Sequence, residues 1–197
     1  MKVICLTGGL ASGKSTAVKH LADKGAVVID ADILGHQAYN PGTAAFDDVI
    51  ATFGEEVRGD DGQIDRKVLG GKVFGKPEEL RKLTDIVWPE IRRLAELELA
   101  AIADRNPDAI VVLEAAVLFE AGWEDMGEDI WVLTVDRETA IARSMARDNV
   151  PRDAVERRLD SQLSNEVRTS RADIVVTNDG SVAAMLGQID SAFAEST

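Results

Sequence analysis

A glycine-rich loop lies between a short apolar segment and a segment with helical spacing, and this arrangement limits the folds that the chain can adopt. Residues 3–6 before the loop are all apolar, and residues 13–24 after its glycine-rich part repeat apolar side chains at helical spacing. The loop, residues 8–15, reads GGLASGKS and fits the pattern G-x-x-x-x-G-K-[ST]. A strand that enters a helix through such a loop presents backbone N–H groups and a helix N-terminus to an anion. The sequence therefore predicts a phosphate-binding loop.

The residue types in the loop suit the phosphates of a nucleoside triphosphate. Glycines let the main chain approach a phosphate closely, because no Cβ intervenes. In this pattern Lys14 would reach the β- and γ-phosphates, and the hydroxyl of Ser15 would bind Mg²⁺. We expect the triphosphate to be held by Gly8, Gly9, Ala11, Ser12, Gly13, Lys14, Ser15 and Thr16.

Apolar runs elsewhere in the chain predict four more strands. They cover residues 27–29, 109–113, 130–135 and 174–176, and segments with helical spacing lie between them. This alternation predicts an α/β protein with a P-loop NTPase fold, in which helices cover both faces of a five-stranded parallel sheet. A helix predicted over residues 77–105 contains Pro89, where we expect a bend or an interruption.

Composition narrows the possible partners and the compartment. The net charge of -13 argues against nucleic acid as a partner, because nucleic-acid-binding domains usually carry a basic face. No apolar run approaches the roughly 18 residues of a membrane span, so we expect no membrane partner. The single cysteine, Cys5, excludes an internal disulfide and lies in an apolar run. We expect a cytoplasmic protein, and the sequence leaves its oligomeric state open.

A triphosphate site is compatible with a switch GTPase, an ATP-driven motor or a small-molecule kinase. GTPases usually carry Asn-Lys-x-Asp for guanine, and the nearest string here, residues 177–179, lacks the lysine. The chain is also short for most motors. A kinase needs a carboxylate for the acceptor hydroxyl and a lid that brings arginines to the phosphates.

Candidates for these kinase groups occur at strand ends and on one later helix. Asp30 and Asp32 follow the second predicted strand, and Glu114 ends the third. One of the two aspartates could accept the proton of an attacking hydroxyl, although both could instead cap a helix. Arg143 and Arg147 are four residues apart and share a helical face, where they could bind phosphate or form surface ion pairs.

We therefore predict one P-loop kinase domain over residues 1–197, of the nucleoside-monophosphate-kinase type. Its core would comprise residues 1–32, 107–142 and 172–197. A helical acceptor-binding region would occupy residues 33–106, and the polar, arginine-bearing residues 143–171 would form a lid.

Several segments together resemble the dephospho-CoA kinase family over essentially the whole chain. They read LTGGLASGKS, GAVVIDAD, VLEAAVLFEAGW, MARDNV and ADIVVTND, in the order and at the spacing of that family. Some details are similar to the kinase domain of bifunctional CoA synthase. The chain departs from the usual bacterial pattern in having Ala11 in place of glycine and Asn165 in place of arginine.

The resemblance implies that ATP phosphorylates the ribose 3′-hydroxyl of dephospho-CoA, with Mg²⁺ as the cofactor. It implies Asp32 and Lys14 as catalytic residues, and it adds Arg143, Arg147 and Asn178 to the ATP site. Dephospho-CoA would be bound by Asp32, His36, Glu114, Leu118 and Phe119. Two alternatives stay open: a kinase for another nucleotide or nucleoside-like acceptor, and a protein that binds ATP without turnover.

Overall fold

A computed structural model of the chain describes residues 1–196 and contains one five-stranded sheet. Its strands are β1 (Lys2–Gly8), β2 (Val27–Asp30), β3 (Ile110–Glu114), β4 (Asp129–Thr134) and β5 (Ile174–Thr177). They lie in the order β2-β3-β1-β4-β5, and β1 pairs in parallel with both β3 and β4. The predicted α/β fold with a five-stranded parallel sheet is confirmed, and β1 occupies the centre of the sheet.

The helices agree with most of the predicted segments. They are α1 (Lys14–Asp23), α2 (Ala31–Gln37), α3 (Ala44–Phe53), α4 (Arg66–Val73), α5 (Pro77–Arg105), α6 (Arg137–Asp148), α7 (Arg152–Asp160), α8 (Asn165–Thr169) and α9 (Val182–Ser196). Short 3-10 turns occupy Glu55–Val57 and Glu124–Met126. Of the bend or interruption expected at Pro89, the interruption does not occur, because α5 continues through the residue. Pro89 is exposed, and the buried Val87 and Ile91 on either side anchor the helix, which offsets one missing hydrogen bond.

The chain divides into two compact units. The first, residues 1–29 together with the chain from Ile102 onward, contains the sheet. The second, residues 30–101, is helical and buries apolar side chains such as Val49 and Leu69.

The core of the sheet unit lies where α1 and α9 cover the sheet. Leu21 from α1 and Ile189 from α9 are fully buried in one cluster with Leu6 of β1 and Trp131 of β4. Burying each large apolar side chain contributes about 1.5–3 kcal/mol to the free energy of unfolding. On the same central strand, Cys5 is fully buried, and burial raises the pKa of its thiol to about 12. This packing holds β1 in place, and with it the start of the loop that leaves the carboxyl end of the strand.

Candidate active site

The glycine-rich loop leaves β1 at Gly8 and enters α1 at Lys14, as expected for a phosphate-binding loop. Two of its residues have left-handed backbone angles: Ala11 with φ 57° and Gly13 with φ 99°. Glycine adopts such angles freely, whereas an L-residue with a Cβ in this conformation costs roughly 1–2 kcal/mol of stability. The loop therefore keeps a conformation that strains Ala11, which stands where the family pattern usually has glycine.

A cavity of about 380 Å³ lies over the loop and the first turn of α1. Its lining contains three cationic side chains and no carboxylate, so the cavity is suited to an anion. The Lys14 ammonium lies in this site, where its Nζ is 2.8 Å from the carbonyl oxygen of Gly8 and 3.4 Å from that of Gly9. The lining residues are Ala11, Ser12, Gly13, Lys14, Ser15, Thr16, Arg143 and Arg147.

Two arginines on α6 bring positive charge to this cavity from the direction of the predicted lid. The guanidinium of Arg143 donates to the carbonyl oxygens of Asn178, at 2.9 Å, and Gly180, at 3.4 Å. Arg147 instead forms an ion pair with its neighbour Asp148, with 2.7 Å between Nε and Oδ1. That hydrogen-bonded pair raises the pKa of Arg147 and lowers the pKa of Asp148. A phosphate that binds Arg147 must therefore compete with this carboxylate.

The side chain of Asn178 lies beneath the loop rather than in the open part of the cavity. It is 4% exposed, and its Nδ2 donates to the carbonyl oxygen of Ser12 at 2.9 Å. Its Oδ1 is buried and has no hydrogen-bond partner among residues 1–196. In this conformation Asn178 can affect ATP binding through the loop backbone, which its amide supports.

The site makes a specific prediction for Gly13→Ala. A Cβ at this position would lie 2.5 Å from Nδ2 of Asn178 and would break the bond to Ser12, in addition to the backbone strain. Gly25→Ala is a matched control, because Gly25 has the same φ of 99° but nothing within 4 Å of its Cβ position. We expect Gly25→Ala to lose roughly 1–2 kcal/mol of stability through backbone strain and Gly13→Ala to lose more, and only Gly13→Ala to lose ATP affinity, by about tenfold or more. Isothermal titration and thermal unfolding measure the two effects; equal ATP affinity in both variants would contradict the assignment.

The two aspartates at the end of β2 and the start of α2 have different roles in the second unit. The carboxylate of Asp30 caps α2, with Oδ1 accepting from the backbone N–H groups of Asp32 at 2.8 Å and Ile33 at 3.1 Å. Asp32, in the first turn, is exposed, and its side chain does not cap the helix. Capping therefore explains the position of Asp30, whereas the carboxylate of Asp32 takes no part in the cap and is exposed. His36 is exposed near the end of α2, and its carbonyl accepts from Arg66.

The residues predicted for the acceptor differ in accessibility within the sheet unit. Glu114 ends β3 opposite Leu6 of β1 and is half-buried. Leu118 is fully buried, and Phe119 is 5% exposed beneath the guanidinium of Arg171, which lies 4.5 Å from the ring centre. Among these three side chains, only that of Glu114 is partly exposed in this conformation.

The predicted lid, residues 143–171, makes contacts that the sequence did not indicate. The side-chain oxygen of Gln162 accepts from the backbone N–H of Leu10 at 3.0 Å. A single glutamine in a polar segment carries no pattern that predicts such a contact. On α7, Arg152 and Arg157 form ion pairs with acidic neighbours on the same helix.

Within residues 1–196, no three His, Cys, Asp or Glu side chains are grouped so that they could hold a metal ion. Across the same residues, no helix has both the length and the apolar character needed to cross a bilayer.

The sheet order and the glycine-rich loop ending in Lys14 and Ser15 define a P-loop kinase. The same fold occurs in shikimate kinase from Acinetobacter baumannii, with a TM-score of 0.53 at 16% identity over 100% of this chain and 94% of that one. The model of the dephospho-CoA kinase family matches residues 2–184, and the chain belongs to that family. Activity in this family is ATP-dependent phosphoryl transfer to an alcohol group.

Relatives and solved structures agree with this assignment. The dephospho-CoA kinase of Geobacter sulfurreducens (strain ATCC 51573 / DSM 12127 / PCA) is 43% identical over 99% of this chain and 98% of its own length. The structure of TT1252 from Thermus thermophilus superposes with a TM-score of 0.82 at 33% identity, over 100% of this chain and 98% of that one. The structure of dephospho-CoA kinase from Campylobacter jejuni superposes with a TM-score of 0.72 at 29% identity, over 98% of this chain and 96% of that one.

Proposed function

We propose that this chain transfers the γ-phosphoryl group of ATP to the ribose 3′-hydroxyl of dephospho-CoA, producing CoA and ADP. The observation that carries the proposal is the cationic cavity over the loop, in a chain whose relatives of matching length are named dephospho-CoA kinases. The loop supplies backbone N–H groups, and Lys14, Arg143 and Arg147 supply the charge that a triphosphate needs.

In the reaction the 3′-oxygen forms a bond to the γ-phosphorus while the bond from that phosphorus to the oxygen bridging it to the β-phosphate breaks. Negative charge grows on the bridging oxygen as ADP leaves. The ammonium of Lys14 and the guanidinium groups of α6 would stabilise this charge, since they hold fixed positive charge around the phosphates. The hydroxyl proton must leave as well, and we assign its acceptor as the carboxylate of Asp32.

Glu114 and His36 are proposed to orient the acceptor, and the buried Leu118 and Phe119 would shape the region from within the core. Magnesium fits as part of the MgATP substrate. The hydroxyl of Ser15 is exposed at the start of α1, and an oxygen ligand suits this ion. When bound, the ion would neutralise charge on the β- and γ-phosphates.

The proposal is tested by incubating the purified protein with MgATP and one acceptor at a time. We expect ADP to appear stoichiometrically with CoA when dephospho-CoA is present, and only at background without an acceptor. Mass spectrometry would locate the new phosphate on the 3′-oxygen.

Two other outcomes would contradict the proposal in different ways. Turnover with AMP or another nucleotide, but not with dephospho-CoA, would show that the acceptor is wrong. Tight ATP binding with no acceptor-dependent ADP would show a binding protein without turnover.

A further inference from the structure

A buried arginine lies directly against the phosphate loop and has no role in the mechanism above. Arg168, in the short helix α8, has a side chain that is only 2% exposed. Its Nη1 donates to the carbonyl oxygen of Leu163, and its Nη2 lies 3.4 Å from Oε1 of Glu120. Its Nε is buried and has no partner among the described residues 1–196. A charged side chain this deeply buried is rare unless it is fully paired.

The guanidinium lies beside the part of the loop that precedes the main cavity, and it lines a second cavity of about 210 Å³ together with Gly9 and Leu10. Nη1 of Arg168 lies 3.5 Å from the position that a Cβ on Gly9 would occupy, so the guanidinium is close to this residue of the loop. Leu163, which accepts from Arg168, directly follows Gln162, whose side chain accepts from the N–H of Leu10. One stretch of seven residues, 162–168, therefore binds the loop at Leu10 and places a guanidinium beside Gly9.

The charge of Arg168 is only partly balanced. Within the described residues 1–196, Glu120 is its one acidic partner, at 3.4 Å. The Glu120 side chain is 27% exposed, so water screens the carboxylate more than the buried guanidinium. Burial lowers the pKa of Arg168 from its ordinary value, although an arginine stays charged. Because of this imbalance, a positive electrostatic potential remains at the loop. This potential can attract an anion bound on the other side of the loop backbone.

We propose that Arg168 is a positioning residue that fixes the Gly9–Leu10 segment from the lid side and strengthens triphosphate binding without touching the triphosphate. The proposal rests on the phosphate-binding part of the proposed function and does not depend on the identity of the acceptor. It also assigns Gln162 as a positioning residue for the same segment, because its side-chain oxygen accepts a hydrogen bond from the N–H of Leu10.

The test measures binding of magnesium tripolyphosphate, which lacks a nucleoside, by isothermal titration. Arg168→Met keeps an apolar stem of similar length but removes the charge and its hydrogen bonds, and we expect the affinity to fall about tenfold. Arg168→Lys restores the charge without the planar donors and should recover part of this loss. The matched control is Lys19→Met on α1, where an exposed lysine is paired with Asp23; its affinity should change by less than about twofold.

A second readout separates support of the loop from a general loss of structure. In turnover assays, Arg168→Met should raise KM for ATP by about tenfold while changing kcat much less, because the residue acts on binding. Thermal unfolding without ligand shows whether each variant is folded. A folded Arg168→Met protein that binds tripolyphosphate as tightly as the wild type would overturn the proposal.

If neither Arg168 variant folds, Gln162→Ala decides the question. It removes the partner of the Leu10 N–H and leaves the buried charge, so amide exchange in residues 6–16 should accelerate and tripolyphosphate should bind more weakly. Unchanged exchange and unchanged affinity would refute the proposed support. Failure of the wild type itself to bind tripolyphosphate or ATP would instead refute the proposed function.

Discussion

Lys14→Ala is expected to lower kcat/KM for ATP by about 10³-fold, the range seen when one preorganised charge-stabilising group is removed. The Lys14 ammonium lies within 3.4 Å of two loop carbonyl oxygens, so a triphosphate in the cavity would meet a charge already in position. Because the charge on the bridging oxygen grows during transfer, kcat should fall as well as the affinity for ATP. ADP release in the presence of dephospho-CoA measures the effect.

Lys19→Ala provides the control for this prediction. Lys19 lies on the same helix, is exposed and pairs with Asp23 at 2.7 Å, so its loss should change kcat/KM by less than about twofold. Full activity in Lys14→Ala would show that the loop does not bind the transferred phosphate in the way proposed.

Asp32→Asn should lower kcat by about 10²-fold or more, the lower end of what general-base catalysis supplies, while ATP affinity stays within a few-fold. The exposed carboxylate of Asp32 is not the cap of α2, so the amide should leave the helix intact. Rapid-quench measurement of a single turnover would separate the chemical step from product release.

Asp30→Asn is the paired control for Asp32→Asn. Asparagine caps helices about as well as aspartate, so stability should change little and kcat should stay near the wild-type value. If Asp30→Asn lost activity and Asp32→Asn kept it, the assignment of the two carboxylates would have to be reversed. Activity retained in both variants would exclude a base at this strand end.

Most of the sheet unit could be predicted because local signals and tertiary packing agree there. The apolar runs of β3 and β4 are too continuous for a half-exposed strand, and Arg143 and Arg147 share one helix, α6, as their spacing predicted. The helix is not interrupted at Pro89, because packing on both sides of the residue outweighs the local preference for a break. The five-residue helix α8 was not predicted, since so short a segment shows no complete period.

Residues of the site could be predicted only where a sequence pattern indicates their chemical role. Lys14 and Ser15 follow from the pattern of the loop, whereas the support from Gln162 depends on where the chain folds back. The sequence also could not separate a cap from a free carboxylate at Asp30 and Asp32, because both lie within one turn. That distinction appears only in the hydrogen bonds to the first N–H groups of α2.

The left-handed backbone of Ala11 has a consequence for how such enzymes are found. If recognition of phosphate depends on main-chain nitrogens, a methyl group at this point changes the energy of the bend but not the atoms offered to the ligand. Alanine and glycine codons differ by a single base, so lineages can exchange the two residues in one step. Search patterns that demand glycine at the fourth position of the loop would therefore pass over chains like this one.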